Sequence, residues 1–501
     1  MPEVIVLELD GATWTVADRL IAAGRLPHLA RVKREGAWGV LRSLEPMISP
    51  ALWTTIYTGK TPVEHGVESF GTNARSLRCP RVWDILDRAG FSVGVMGTLA
   101  TWPPRPVSDG FIVPDYVMAL DSQTWPPHLG HLQQVMLGAR LRQGKMRHYP
   151  GLAWRLLRTG VHPAHLIRSG LLLLRDVVAN AHPLDTLWRK ILVVEAVRAD
   201  AFVHLYRNYR PQFATYHYHT TDTTGHFYWK YYEPTAFAAP PPGRDVERYR
   251  QAIPRAYAQA DRLLGRLLDA MGRDTTLVVI SDHGQAAHPP TIPQFLLDLP
   301  TLIEFLGIQH DAIPLRIANQ HYVHFQNPGR IQRTEQLLRG AFSTTTRRPV
   351  FHEITRDDHS LCFRLVPGAL AGATDEHIVF AGHGQLSTRA LRMQKGPSIT
   401  GKHTLDGLVA LYGHNVRPGA TLDNASILDV TPTLLALFGL PVARDMPGRV
   451  WWEALTLDRA AVEGYVDSYT DESIPHDASP VSLTPEEQST LQDRLRDLGY
   501  V

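Results

Sequence analysis

Four short stretches of the chain are apolar on both of the faces a strand would present: Val4–Leu9, Ser92–Met96, Gln212–His217 and Thr276–Ser281. A half-exposed strand alternates. A continuous apolar run of this length, closed by turn residues, fits a strand covered on both sides, as in a parallel sheet. Between these runs the period becomes helical. Trp14–Ala23 and Leu29–Glu35 flank a Gly-Arg-Leu-Pro turn, and Arg81–Ala89 is followed by Gly90, which reads as its C-cap. Strands alternating with helices predict an α/β fold built on a doubly wound, mostly parallel sheet.

That rhythm breaks between about 120 and 208, where Leu, Arg, His and Trp recur at helical spacing without a clear strand. The segment reads as a helical cap inserted over the edge of the sheet. A second insertion of mixed character covers 289–379 and carries an alternating strand signal at His321–Phe325. The core is then expected in three pieces, 1–119, 209–288 and 380–470. A tail, 471–501, begins Pro/Asp/Ser-rich and ends in a helix over Pro485–Leu498, opened by a capping box of Thr484 and Glu487.

Length and charge narrow the partners. At 501 residues the chain exceeds one ordinary domain. Its 51 basic and 49 acidic residues leave a net charge of +2 with no basic half, which weighs against a nucleic-acid polymer as partner. Only Cys79 and Cys362 are present, so no disulfide framework is expected and a reducing compartment fits. The opening VIVLELD lacks the order of a signal peptide, and the apolar stretch Leu166–Val178 is broken by Arg168 and Arg175, too short and too charged to span a bilayer. The expectation is a cytoplasmic protein without a membrane span. The sequence is silent on oligomeric state.

Three strand runs close in the same manner. VIVLEL is followed by Asp10-Gly11, FATYHYHTT by Asp222, and LVVIS by Asp282-His283-Gly284. Ligands of open α/β sheets collect at the carboxyl ends of the strands, so three aspartates delivered there share one crevice. Without a cation they repel and take up protons; a divalent metal keeps them ionised. Histidine is abundant, 24 residues, and two histidines sit at ligand spacing. His226 lies four residues after Asp222, on the same face of a helical turn, and His283 adjoins Asp282 where Gly284 permits a sharp turn. Mixed Asp and His donors suit zinc, and manganese less strongly. Ser49, followed by Pro50, reads as a helix N-cap. A hydroxyl there meets free backbone N–H groups, an anion site fit for a phosphoryl group, and a neighbouring metal would activate it.

Several longer segments resemble the alkaline phosphatase superfamily, and within it the type I phosphodiesterase/nucleotide pyrophosphatase branch. They are VIVLELDGATW, GRLPHLARVKREGAWG, ISPALWTTIYTGKTPVEHGV, TWPPRPVSDGF, TTDTTGHFYWKYYEP, VVISDHG, GKHTLDG and SILDVTPTLLALFGLPVARDMPGRV, in the family's order over nearly the whole chain, with a closing LRDLGYV common in the superfamily. The resemblance implies two divalent metals, zinc first and manganese second. Asp222, His226 and His403 would hold one; Asp10, Asp282 and His283 would hold the other, with Ser49 as nucleophile and additional ligand. Asn73 is the candidate donor to the phosphate's free oxygen, from a stretch, Glu68–Asn73, that aligns poorly. The implied reaction is hydrolysis of a small-molecule phosphate ester: Ser49 attacks phosphorus in line, the leaving oxygen is stabilised by the second metal about 4 Å away, and water resolves a phosphoserine.

Other readings stand beside this one. Phosphomonoester or phosphonate hydrolysis uses the same site. A sulfatase needs Cys or Ser in a C/S-x-P-x-R motif; Pro50 directly follows Ser49 and no matching Arg is present. A phosphomutase shares the ligands, and an enzyme of lipid or glycan phosphates would form its pocket from the insertions. A non-catalytic binding protein on the same fold would be expected to have lost ligands, and none of the matched positions is lost. Among the remaining histidines, His65 reads as shaping a loop and His217 and His219 as a strand alternation, His219 near the pocket. His377, His383 and His414 are alternatives to His403. The aromatic stretch Phe227–Tyr232 reads as packing.

Overall fold

The computed structural model describes residues 2–68, 70, 72–138, 149–178, 183–288, 297–309, 311–317, 320–325, 327–356, 360–366, 368–370, 376–391, 400–462, 464–470 and 491. The terminal helix and its capping box, expected at Thr484–Leu498, lie outside the described residues.

The four apolar runs are strands of one sheet. With two further strands they are β1 (Glu3–Leu9), β2 (Ala37–Arg42), β3 (Val93–Met96), β4 (Gly110–Val113), β5 (Phe213–Tyr218) and β6 (Thr275–Ile280). The central sheet has eight strands in the order Thr421–Ser426, β2, Asp406–Gly413, β6, β1, β5, β3, β4. Asp406–Gly413 is antiparallel to both its neighbours, β2 and β6; every other pairing is parallel. β1 lies between β5 and β6, with Val4 opposite both Phe213 and Thr276. Val4, Ile5, Val6, Leu7 and Leu9 are all buried. Each such side chain contributes about 1.5–3 kcal/mol relative to an exposed one, which accounts for apolar runs that do not alternate.

One expected cap shifts by one position. The helix expected at Arg81–Ala89 runs over Val82–Arg88, its C-cap is Ala89, and Gly90 follows with φ +87°. That places Gly90 where the left-handed residue after a C-cap belongs.

Between β4 and β5 the described residues form helices at Gly130–Gly138, Tyr149–Arg158, Pro163–Val178 and Pro183–Tyr209. The last of these is tied to β5. Arg198 pairs with Glu195 at 3.0 Å and donates to the His217 carbonyl at 3.1 Å, and the Tyr216 hydroxyl donates to Glu195. Residues 297–391 hold a second hydrophobic core of their own, built from Leu302, Phe325, Leu361, Phe363 and Ile378 among others. It includes the strand Gln320–Phe325, paired with Ala312–Ile317 and Ser360–Leu365.

Candidate active site

β1 ends at Leu9 and delivers Asp10, whose backbone N–H donates to the Tyr218 carbonyl of β5 at 3.1 Å. Gly11 follows with φ +66°, and its N–H donates to Asp282 Oδ1 at 3.3 Å. A Cβ on Gly11 would stand 3.1 Å from Asp222 Oδ1, so glycine here serves both the left-handed turn and the close approach of the aspartates. β5 leads into the helix Thr220–Tyr232, which carries Asp222 in its first turn, where the helix dipole favours a carboxylate. β6 leads into Asp282 and His283. The next residues, Gly284–Ala287, pair antiparallel with Gly401–Thr404, which sets His403 opposite Gln285. At Gly284, where the sequence allows a sharp turn, the backbone is not left-handed. A Cβ there would lie 2.1 Å from the Asp406 carbonyl, so its smallness serves a close strand contact.

Asp222, His226 and His403 converge. His226 Nε2 lies 3.2 Å and His403 Nε2 3.4 Å from Asp222 Oδ1, and the two Nε2 atoms are 3.0 Å apart. On the far side of each ring, His226 Nδ1 is 3.2 Å from the Gly401 carbonyl and His403 Nδ1 is 3.2 Å from the Met47 carbonyl. Carbonyls only accept, so both Nδ1 atoms carry the hydrogen and both Nε2 lone pairs point at one carboxylate oxygen. Three lone-pair donors facing one another require a cation or a shared proton between them. A tetrahedral cation at about 2.0–2.1 Å from its ligands sets them about 3.3 Å apart, which matches the observed separations. Gln285 Nε2 holds Asp222 in place, donating to its Oδ1 at 2.6 Å and its backbone carbonyl at 3.1 Å.

The adjoining group is Asp10, Asp282, His283 and Ser49, all fully or almost fully buried. His283 Nδ1 is 3.0 Å from the Gly284 carbonyl, so its Nε2 faces inward. There it lies 3.4 Å from Ser49 Oγ, 3.5 Å from Asp282 Oδ2 and 3.6 Å from Asp10 Oδ1. Asp10 Oδ1 and Asp282 Oδ2 are buried without a hydrogen-bond partner among the described residues. Buried carboxylate oxygens with no donor point to a cation. A ring–ring stack of His283 on His403, 3.6 Å between centroids, joins the two groups. One ligand atom each from Asp10, Asp222 and His283 lie within 4.8 Å of one another, across the same join.

The charges differ between the groups. Burial and the nearby Asp10 and Asp222 charges push Asp282 well above the usual carboxylate range. Burial also acts on Asp222, but once the rings take up a proton at Nε2 the His226 charge and hydrogen bonds from His226 and His403 outweigh it and hold Asp222 well below that range. Burial and the neighbouring His403 charge push His283 down to about 3, leaving it neutral.

Ser49 opens the helix Ser49–Thr58, with Ile48 in the cap position. The expected N-cap serine is therefore displaced by one residue, within the play of helix boundaries. Every residue of that helix is buried. Its threonines are accommodated by local bonds: Thr54 and Thr58 hydroxyls donate to the carbonyls four residues back, both at 2.8 Å.

The type I phosphodiesterase/nucleotide pyrophosphatase family matches residues 4–310, more than half of the chain. The chain belongs to that family. As a member of this metal-dependent family it is an enzyme of phosphodiesterase type, which sets aside the non-catalytic reading. The matched stretch contains Asp10, Ser49, Asp222, His226, Asp282 and His283; His403 lies beyond it. Among solved structures, the chain is similar to human ectonucleotide pyrophosphatase/phosphodiesterase 5, at 11% identity, covering 91% of this chain and 100% of that one, with a TM-score of 0.49. It is also similar to murine ectonucleotide pyrophosphatase/phosphodiesterase 5, solved as an inactive variant in complex with AMP, at 12% identity, 90% and 98% coverage and a TM-score of 0.47. No curated protein matches the sequence.

In this family member the structure brings together seven of the eight residues singled out from the sequence. The eighth, Asn73, caps the short turn Ala74–Ser76, its Oδ1 accepting from the Arg75 N–H at 2.9 Å. Among the described residues no hydrogen bond joins Asn73 to Ser49 or to the aspartates. His377 opens the strand His377–Phe380 of the second core, and His414 follows Gly413, which pairs with Thr276 at the end of β6 away from Asp282. His383 Nε2 is 2.8 Å from the Phe305 carbonyl. His65 is buried, its Nε2 3.1 Å from Thr55 Oγ1 and its Nδ1 accepting from the Val67 N–H at 3.1 Å, a loop-shaping place. Phe227, Tyr228, Trp229 and Tyr231 are buried, and the Tyr228 ring lies 5.8 Å from Tyr249, as packing requires.

Sequence reasoning missed the surroundings of Asp10. His217 Nε2 and His219 Nδ1 lie 3.2 and 3.0 Å from Asp10 Oδ2, and His217 Nδ1 is 2.8 Å from Glu8 Oε2. Glu8 also accepts from the hydroxyls of Tyr57 at 2.6 Å and Thr98 at 2.7 Å, and from Thr215. These contacts occupy one Asp10 oxygen and leave Oδ1 facing His283. The outer bonds of a ligand commonly set its orientation. The signal available was a polar Glu8 and alternating histidines inside strands that are otherwise apolar.

Proposed function

We propose that the chain hydrolyses small-molecule phosphate esters, diesters or nucleotide esters before monoesters, with Ser49 as nucleophile and two divalent metals. Asp222, His226 and His403 would hold one cation; Asp10, Asp282, His283 and Ser49 would hold the other. The observation that carries this is the inward convergence of three Nε2 atoms on buried carboxylates, each ring fixed by a backbone carbonyl at its Nδ1. The donor set favours zinc over manganese. When bound, the metals would neutralise the aspartates, lower the Ser49 pKa and stabilise the leaving oxygen.

The chain's own residues do the rest. Ser49, at the start of a helix, has free backbone N–H groups nearby for the phosphoryl oxygens. Its Oγ bonds to phosphorus as the opposite phosphorus–oxygen bond breaks, giving a phosphoserine that water then hydrolyses. Asp10 is oriented by His217 and His219, and Asp222 by Gln285. A cytoplasmic, reducing setting belongs to the same reading: Cys79 and Cys362 are buried and form no disulfide, and burial pushes the Cys79 thiol up to about 12.

The test compares turnover of nitrophenyl phosphate, its phenyl diester and a nitrophenyl nucleotide ester by the zinc-loaded chain. The diester and the nucleotide ester are expected to turn over faster. Ser49→Ala is expected to abolish phosphoserine formation while zinc content stays near normal. Normal turnover in that variant would exclude Ser49 as the nucleophile.

A further inference from the structure

We propose that the helices Tyr149–Arg158 and Pro163–Val178 dock on the surface of a bilayer carrying anionic lipid. Both already have an inner apolar side. Leu156 and Val161 are buried, and Leu166 packs partly buried against the main core. The turn between the helices is fastened to the helix Pro183–Tyr209. Asp200 of that helix accepts from the His162 N–H at 2.9 Å and pairs with His165 at 2.6 Å. A Cβ on Gly160 would stand 2.4 Å from His204 Cβ, so the turn lies hard against the same helix.

The apolar residues on the other side are surplus to that packing. Trp154 is 63% exposed, Ile167 63% and Leu171 60%, with Leu157 also exposed. They recur three and four residues apart, as a second apolar stripe on each helix does. The charges beside them are all of one sign. Arg155, Arg158 and Arg168 are exposed, and the two helices hold a single acid, Asp176, in the last turn of the second. Among the described residues no carboxylate pairs with any of these three arginines.

Exposed Trp, Leu and Ile interleaved with unpaired arginines fit the headgroup level of an anionic bilayer, apolar side chains entering and guanidiniums meeting phosphate. A second copy of the chain across a two-fold axis would set arginine against arginine. No described helix is long and apolar enough to cross a membrane, so the contact is peripheral. The inference concerns a surface remote from Ser49 in the chain, and it stands or falls apart from the hydrolase reading.

The full chain is sedimented with vesicles of phosphatidylcholine alone and with vesicles containing about three parts in ten of phosphatidylserine. Binding to the anionic vesicles is expected to exceed that to neutral ones by about tenfold and to fall as salt is raised to about 0.5 M. The double variant Trp154→Ser, Ile167→Ser is expected to lose about tenfold in binding. The triple variant Arg155→Gln, Arg158→Gln, Arg168→Gln is expected to lose the preference for anionic lipid. Unchanged thermal unfolding by circular dichroism establishes that both variants are folded. Equal sedimentation with the two vesicle types, or variants that bind like the parent, would overturn the proposal. So would a concentration-dependent dimer, abolished by the Trp154 and Ile167 changes, in a chain that ignores vesicles.

Discussion

Asp222 faces two imidazoles, His226 and His403, whereas Asp282 faces a second carboxylate, Asp10, and one imidazole that burial keeps neutral. The first group is close to electrically balanced without any cation, since a shared proton can sit among its donors. The second is not: His217 and His219 engage only Asp10 Oδ2, and among the described residues Asp10 Oδ1 and Asp282 Oδ2 find no donor. The difference teaches that proximity of ligands is not enough to describe such a site. One half is a preformed cradle, and the other is held together against repulsion by its surroundings.

The largest effect tests what the two halves act upon. Ser49→Ala is expected to lower turnover at least about a thousandfold while both metal equivalents remain bound, as read by plasma emission spectrometry beside steady-state rates. Next come the aspartates, whose signs should oppose in chelator-stripped protein. Asp222→Asn leaves His226 and His403 without their buried counter-charge and is expected to lower unfolding free energy by about 3–5 kcal/mol. Asp282→Asn puts a neutral amide in place of a carboxyl that burial and the Asp10 and Asp222 charges hold against ionisation, and is expected to raise it by about 1–2 kcal/mol. Denaturant titration reads both, and destabilisation of similar size in both would erase the contrast.

Smaller effects sharpen it. Gln285→Ala removes the donor on Asp222 Oδ1 and is expected to weaken zinc at the first group by about 10–100-fold, seen in competition with a chromogenic chelator. His219→Ala frees only one of the two imidazoles on Asp10 Oδ2. About tenfold weaker zinc binding at the second group is expected, with the first unchanged.

Much of the frame is legible before any coordinates. β1, β3, β5 and β6 announce themselves because burial on both faces demands unbroken apolar runs, and three of them, β1, β5 and β6, end near a site residue. β2 and Thr421–Ser426 do not. β2 alternates buried and exposed positions over six residues, and Thr421–Ser426 is half polar, interrupted by a register shift, because it forms the sheet's edge. Asp406–Gly413 holds the apolar run Leu408–Leu411 between glycines, but its antiparallel placement between β2 and β6 is set by tertiary packing. Asp10, Asp222 and Asp282 are legible as strand-end residues, and His226 by its spacing from Asp222. His403 is legible only by family resemblance, since a strand pairing across more than a hundred residues brings it to His283. The roles of Gln285, His217 and His219 rest on side-chain directions that no local pattern encodes.

The most direct measurement is anomalous diffraction at the zinc edge from crystals of the zinc-loaded chain soaked with vanadate. The account predicts two zinc peaks, one among Asp222, His226 and His403 and the other among Asp10, Asp282 and His283, with vanadium bonded to Ser49 Oγ. Absence of zinc at both groups, or vanadium bound away from Ser49, would contradict it.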